Sequence, residues 1–256
     1  IRQKKGRPPG LAVVIVGDDP ASLIYTRKKG EMAESLGMFH ITQKFPATAS
    51  PQEVFAEVQR LNHDPSIHGI LIQRPLPKQF NENEVLLWVA PEKDVDAFHP
   101  QTVGNLVLGL PCFLPCTPAG VMNLLKHYEI PIAGKTACVV GRSSIVGKPM
   151  HALLLQNNAT VIQCHSQTRP LEKFTTQADL LIVAAGKPHL IGKQHIKPGA
   201  VVVDVGIHRD STGKVIGDVL FDEVAPLCSA ITPVPGGVGP MTILTLMENT
   251  CTAAAH

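Results

Sequence analysis

The chain has 256 residues, of which 44% are hydrophobic and 17% charged, with a net charge of +2. That is enough for one large or two modest domains with buried cores, and the charge is too small and too dispersed to mark a nucleic-acid surface. No apolar stretch reaches the roughly 18 residues of a membrane span.

The chain opens Ile1-Arg2-Gln3-Lys4-Lys5 without an initiator methionine, which reads as a truncated start that hides any targeting segment. Leu11–Val16 is a continuous apolar run ending at Gly17, the pattern of a buried parallel strand. Asp19 then reads as a helix N-cap with Pro20 in the first position, and the helix is predicted to run to Leu36 and stop at Gly37. His40–Phe45 is a further strand. Ser50-Pro51-Gln52-Glu53 forms a capping box before a helix whose Val54, Val58 and Leu61 make one stripe. Gly69–Ile72 is a second buried strand, and Asn81 and Glu84 are placed to cap a third helix through Trp88.

Prolines crowd at 91, 100, 111, 115 and 118, and the periodicity lapses there, as at a domain boundary. Thr117-Pro118 begins a helix with Val121, Leu124 and Leu125 on one face. Strands are then predicted at 136–141, 159–164, 179–184, 200–205 and 229–232, with a helix from about 145. The Pro- and Gly-rich stretch 233–240 fits no regular element, and a final helix is predicted from Met241 to Ala254. The result is two α/β domains, 1–116 with 240–256 and 117–239.

Gly141-Arg142-Ser143-Ser144-Ile145-Val146-Gly147 lies between a strand and a helix, where backbone N–H groups can face a phosphate. Five residues between the glycines exclude a Walker A loop, and Arg142-Ser143 stands where G-x-G-x-x-G needs its second glycine. On this evidence the loop is either a plain structural turn or a cofactor cradle. After the next strand, where an NAD site usually offers a carboxylate, the chain offers His165-Ser166-Gln167. With Arg142 and Ser143, that suits a 2′-phosphate and hence NADP.

Ser22, Tyr25 and Lys29 point within about 60° of one another on the first helix. Tyr25 and Lys29 are either an acid/base pair or part of a solvated face beside Arg27 and Lys28. Short-chain dehydrogenases use this spacing, but there the pair follows the cofactor loop. Gln73 ends a buried strand and Asp96 sits in an irregular stretch; each is a ligand contact or a turn residue. Six cysteines, at 112, 116, 138, 164, 228 and 251, form no zinc pattern and suit a reducing compartment. Cys138 and Cys164 read as buried thiols, and Cys164-His165 lacks a third partner for catalysis.

Several motifs now coincide. From Gly10 to Asn249 the chain resembles the bifunctional methylenetetrahydrofolate dehydrogenase/methenyltetrahydrofolate cyclohydrolase family. The most specific piece is the run from Ile231-Thr232-Pro233 to Pro240-Met241-Thr242. Ser22-x-x-Tyr25-x-x-x-Lys29, Gln73-x-Pro75-Leu76-Pro77, Lys93-Asp94-Val95-Asp96 and Gly141-Arg142-Ser143-x-Ile145-Val146-Gly147-x-Pro149 follow in the family's order.

The resemblance implies a Rossmann-like, doubly wound parallel sheet in the second domain and an active-site cleft between the domains. It implies NADP-dependent oxidation of 5,10-methylenetetrahydrofolate and hydrolysis of the methenyl product to 10-formyltetrahydrofolate, in the one-carbon metabolism that feeds purine biosynthesis. Lys29 is then the central catalytic residue, Gln73 assists it, Tyr25 orients the folate and Asp96 holds the pterin. Ser22, Ile72, Arg74 and the stretch Pro235, Gly236, Gly237, Val238 and Gly239 complete the substrate site. Gly141, Arg142, Ser143, Ile145, Val146, Gly147, Ser166 and Ile207 hold NADP. No metal site is implied, and no nucleic-acid or membrane partner.

A homodimer is implied, in the cytoplasm or, alternatively, the mitochondrion. Arg74 replaces the family's usual apolar residue, which adds a charge at the cleft edge. Ala97 replaces its usual glycine, which is expected to tighten or shift that turn. A strand and a helix that precede the first strand in the family have no counterpart here. The rivals are an NAD-preferring or monofunctional dehydrogenase and a non-catalytic nucleotide-binding module.

Overall fold

The computed structural model describes residues 6–256, so the start read as truncated lies outside the described residues. The chain divides into two compact units, residues 1–116 with 243–256 and residues 117–242.

The first unit is built on β1 (Gly10–Val16), flanked in parallel by β2 (Phe39–Phe45) and β3 (Gly69–Ile72). Every residue of β1 is buried because both faces of the strand are covered. Ala12, Val14 and Val16 pack with Val54, Val58 and Leu61 of α2 (Pro51–His63). Leu11 and Val13 face the opposite way, onto Ala33 of α1 (Pro20–Ser35) and onto Ile243, Leu246 and Met247 of the chain's last helix. Alternation is present in three dimensions but invisible in the string, since both faces need apolar residues.

The predicted caps form. Asp19 accepts the Ser22 N–H, and Ser50 and Glu53 make a reciprocal capping box. The helix expected to reach Trp88 is cut to one turn, α3 (Glu82–Val85). The Trp88 carbonyl is taken instead by the side-chain amides of Gln59 (3.0 Å) and Asn62 (2.8 Å), which pin the chain in a non-helical course. The proline-rich boundary is also more ordered than expected. It contains α4 (Pro100–Leu108), with Pro100 in the first turn, His99 as N-cap and Gly109 closing it at φ +69°. Proline fits a helix's first turn, where its missing N–H would go unpaired anyway.

The second unit begins at α5 (Cys116–His127), whose first residue still counts with the first unit. Five parallel strands follow: β4 (Thr136–Val140), β5 (Thr160–Cys164), β6 (Leu180–Val183), β7 (Val201–Asp204) and β10 (Ala230–Ile231). Their order is β10-β7-β6-β4-β5. Helix α6 (Gly147–Gln156) joins β4 to β5, and the short α7 (Glu172–Thr175) lies before β6. The chain therefore leaves β4 towards one edge, returns, and resumes at β6 on the other side. In such sheets the crevice outside the carboxyl ends of the two strands where the order reverses is the ligand position. A small hairpin of β8 (His208–Arg209) and β9 (Val215–Ile216) and a one-turn α8 (Phe221–Val224) were not foreseen. The last helix, α9 (Val238–Ala255), starts earlier than predicted, so Val238 and Gly239 lie in its first turn and not in an element-free loop.

Candidate active site

In the first unit the site is assembled where α1 passes the carboxyl end of the three-stranded sheet. The Gln73 N–H donates to Val14 O at 2.8 Å, which extends the β1–β3 pairing by one rung and fixes where its side chain starts. Lys29 Nζ donates to Gln73 Oε1 at 2.9 Å, and Gln73 Nε2 donates to Arg74 O at 2.8 Å. The two bonds define which end of the amide faces the lysine. Ser22 Oγ lies 2.8 Å from Asp19 Oδ2 and 3.2 Å from Arg74 O, so the first turn of α1 is tied to the chain leaving β3.

Lys29 is 7% exposed. Burial lowers its pKa, because an ammonium loses more than a neutral amine on leaving water, while the Asp96 carboxylate pulls the other way. Asp96 is half-buried; burial raises its pKa, and Lys29 and the Cys116 thiol oppose that rise. Tyr25 is half-buried beside them, its phenol pushed up by burial. Helical spacing alone left Lys29 undecided between a solvated face and a device. Its enclosure with one neutral acceptor, and near one carboxylate, rules out the solvated face.

Two residues gain importance beyond the sequence expectations. Asp94 is buried and accepts the His99 N–H at 2.7 Å, holding the chain ahead of α4. Burial pushes its carboxyl up to about 6, partly offset by that bond. The buried Cys116 donates to Val95 O at 3.3 Å, and burial with the nearby Asp96 raises its thiol pKa. Both lie inside stretches the sequence had marked, but only burial distinguishes them from their neighbours.

Ile72, Arg74, Asp94, Asp96 and Phe98 line a cavity of ≈ 30 Å³. The charge that Arg74 adds is paired. Its guanidinium pairs with Glu82 Oε2 at 2.8 Å and lies 5.6 Å from the Phe98 ring centroid. Ala97 keeps a left-handed backbone, φ +64°, a conformation that favours glycine.

In the second unit, Gly141 ends β4 at φ +127°, and a Cβ there would collide with the Ala184 carbonyl at the end of β6. Gly147 is equally constrained, since its Cβ would strike the Gly141 carbonyl. The two glycines thus make the close turn at the point where the strand order reverses. Ser143 Oγ accepts from the N–H groups of Val146 (3.2 Å) and Gly147 (3.3 Å), so it ties the turn to the first residue of α6. Ile145 and Val146 are half-buried behind the turn, and Arg142 is exposed at its tip. Ser166 is exposed just beyond β5, with no carboxylate among residues 165–169, and Ile207 is 46% exposed beyond β7. An open glycine turn, an exposed arginine and a serine in place of an acid fit a dinucleotide carrying a 2′-phosphate.

Pro235 and Gly236 are exposed and Gly237 is half-buried; a Cβ on Gly237 would meet Pro233 O at 2.6 Å. All six cysteines are free, with Cys138 and Cys164 buried as expected. Among the described residues no group of His, Cys, Asp or Glu is placed to hold a metal, and no helix is long and apolar enough to cross a membrane.

A parallel, doubly wound sheet with a glycine turn at its switch point, preceded in the chain by an α/β unit carrying an enclosed lysine, defines a dinucleotide-dependent enzyme with a separate catalytic domain. Residues 1–96 match the tetrahydrofolate dehydrogenase/cyclohydrolase catalytic domain, and residues 115–256 match the NAD(P)-binding domain of the same enzymes. The chain is 54% identical over 252 residues to the bifunctional protein FolD of Brevibacillus brevis, covering 98% of this chain and 89% of the relative. The solved FolD methylenetetrahydrofolate dehydrogenase/cyclohydrolase of Campylobacter jejuni superposes with a TM-score of 0.96 at 49% identity, covering 99% of this chain and 90% of that one. The Trypanosoma brucei enzyme, solved with NADP and an inhibitor, gives a TM-score of 0.94 at 38% identity, covering 99% and 89%. The chain belongs to the tetrahydrofolate dehydrogenase/cyclohydrolase family.

Proposed function

We infer that this protein oxidises 5,10-methylenetetrahydrofolate with NADP and hydrolyses the resulting methenyl cation to 10-formyltetrahydrofolate. The observation that carries this is the enclosed Lys29 amine, held 2.9 Å from Gln73 Oε1. Oxidation alone needs mainly positioning, since two flanking nitrogens stabilise the cation left when hydride departs. Hydrolysis needs a group that activates water and manages protons during ring opening, and a lysine with a lowered pKa next to a fixed amide is suited to that.

Bound NADP supplies the hydride acceptor. The Gly141–Gly147 turn offers backbone N–H groups to its phosphates, with Ile145 and Val146 supporting the turn from behind. Arg142 and Ser166 read the 2′-phosphate, and Ile207 contacts the bound dinucleotide. Ser143 contributes by shaping the turn through its bonds to the Val146 and Gly147 N–H groups.

Lys29 carries the hydrolytic step, Gln73 fixes the amine and the attacking water, and Tyr25 packs on the folate. Asp96 accepts hydrogen bonds from the pterin. Ser22, Ile72 and Arg74 shape the site around it, and Pro235–Gly239 present backbone to the substrate. Assembly as a homodimer and a cytoplasmic setting belong to the same proposal and rest on the family resemblance.

The test is a coupled assay with methylenetetrahydrofolate and NADP that follows the methenyl absorbance and the formyl product together, with NAD in parallel. The expected result is a transient methenyl signal that gives way to formyl product, faster with NADP. Stoichiometric methenyl accumulation would reduce the protein to a monofunctional dehydrogenase. No turnover with either cofactor would leave a nucleotide-binding module.

A further inference from the structure

Asp218 is fully buried, and its carboxylate has an unusual set of partners. Oδ2 accepts the N–H groups of Ala185 at 2.7 Å and Gly186 at 2.9 Å, and Oδ1 accepts that of Lys187 at 3.0 Å. His208 Nε2 lies 2.6 Å from Oδ1. Three successive amides of the turn after β6 thus converge on one carboxylate that reaches them from 31–33 residues further along the chain. The same turn begins at Ala184, whose carbonyl faces Gly141 too closely for any Cβ. Through His208, Asp218 also grips the residue that follows Ile207.

Asp218 is itself held. Its N–H donates to Asp204 Oδ1 at 3.1 Å, and the neighbouring Val219 and Gly206 N–H groups donate to the same side chain at 2.9 Å each. A side chain on Gly206 would strike the Asp218 carboxyl, and one on Gly217 would strike Asp204. The close approach of these strands' ends is built around the two acids. Such a network turns the carboxyl ends of β6 and β7 into one rigid rim beside the β4 turn, at the sheet's switch point.

We propose that Asp218, acting with His208, is a positioning residue for the dinucleotide: it sets the 185–187 turn and the Ile207 segment against the Gly141 loop so that the nicotinamide half of NADP is held in register for hydride transfer. This rests on the function proposed above. Neither residue touches the reacting atoms in this scheme; both act through the backbone they hold. Hydrolysis of the methenyl substrate without NADP gives an independent readout, because it does not need the rim.

The experiment uses the full chain. Asp218→Asn and His208→Ala are compared with wild type for the KM of NADP, the KM of methylenetetrahydrofolate, kcat, NADP-free hydrolysis of methenyltetrahydrofolate and Tm. An asparagine must turn an NH₂ towards backbone donors, so the expected result is a rise in NADP KM of about tenfold or more. His208→Ala is expected to give about a threefold rise, and His208→Gln, which keeps an N–H donor, to restore most of it. The folate KM and the NADP-free hydrolysis should stay within about twofold of wild type. Should Asp218→Asn not fold, the His208 pair decides. An unchanged NADP KM, or a parallel fall in oxidation and NADP-free hydrolysis, would overturn the proposal. A wild type that neither oxidises nor hydrolyses these folates would instead overturn the underlying function.

Discussion

Lys29 Nζ and Gln73 Oε1, 44 residues apart in the chain, are joined at 2.9 Å in an enclosed part of the first unit. The contact gives a buried amine a neutral acceptor, and burial then favours the unprotonated form. Burial thus moves the Lys29 amine below the ordinary lysine range, the direction that the hydrolytic role proposed for it requires.

Replacing Lys29 with methionine keeps the packing and removes the amine. Hydrolysis of the methenyl substrate should fall by about 10²–10⁴-fold, while oxidation retains a larger fraction of its rate. Stopped-flow absorbance separates the steps. Equal residual rates for both would remove Lys29 from the hydrolytic role.

If Arg142 reads the 2′-phosphate as proposed, Arg142→Ala should raise the KM for NADP by about tenfold and leave that for NAD nearly unchanged. Initial rates with both cofactors at fixed folate are sufficient. An unaltered ratio would place the reading of the 2′-phosphate elsewhere.

Gly141→Ala forces a methyl group into the Ala184 carbonyl at a left-handed φ of +127°. We expect a loss of about 2–4 kcal/mol in stability and a weakened cofactor site. Urea denaturation and NADP titration by fluorescence measure the two. A variant as stable as wild type would mean that β4 and β6 can separate at this end without cost.

Burial pushes the Asp94 carboxyl from its ordinary 3.8 up to about 6 in the folded state, because it opposes the charge. The folded state therefore holds this proton more tightly than the unfolded chain. Its stabilising contribution is complete below pH 3.8 and is lost as pH rises to about 6, an effect on the order of 3 kcal/mol. Asp94→Asn cannot ionise, so its stability relative to wild type should increase between pH 4 and 6.5. Parallel stability curves for the two proteins would show that Asp94 does not carry this pH dependence.

Much of the fold was legible because local rules were obeyed. Asp19-Pro20, and Ser50 with Glu53, define helix starts through side-chain-to-backbone bonds that need only a few residues. The apolar runs at Leu11–Val16 and Gly69–Ile72 became the expected strands of a sheet buried on both faces. Errors occurred where distant residues overrode local preference. Trp88 left its helix because Gln59 and Asn62 capture its carbonyl. The proline crowding that reads as a domain boundary includes Pro100, which instead starts a helix, because a proline at a helix start and a proline in a loop look alike in the string.

The sequence by itself determined the motifs, their order and their spacing, which sufficed for the family, the cofactor class and the candidate residues. The family and the roles of its residues came through the resemblance those motifs carry, and the backbone at Gly141 and Gly147 leaves no room for a Cβ. What only the tertiary structure decided is how charge is managed. It encloses Lys29 with Gln73 and near Asp96, pairs Arg74 with Glu82, and converges three amides and a histidine on Asp218. Proton affinity and hydrogen-bond satisfaction depend on what surrounds a group once water has been excluded. In this protein most of those neighbours come from distant points in the chain.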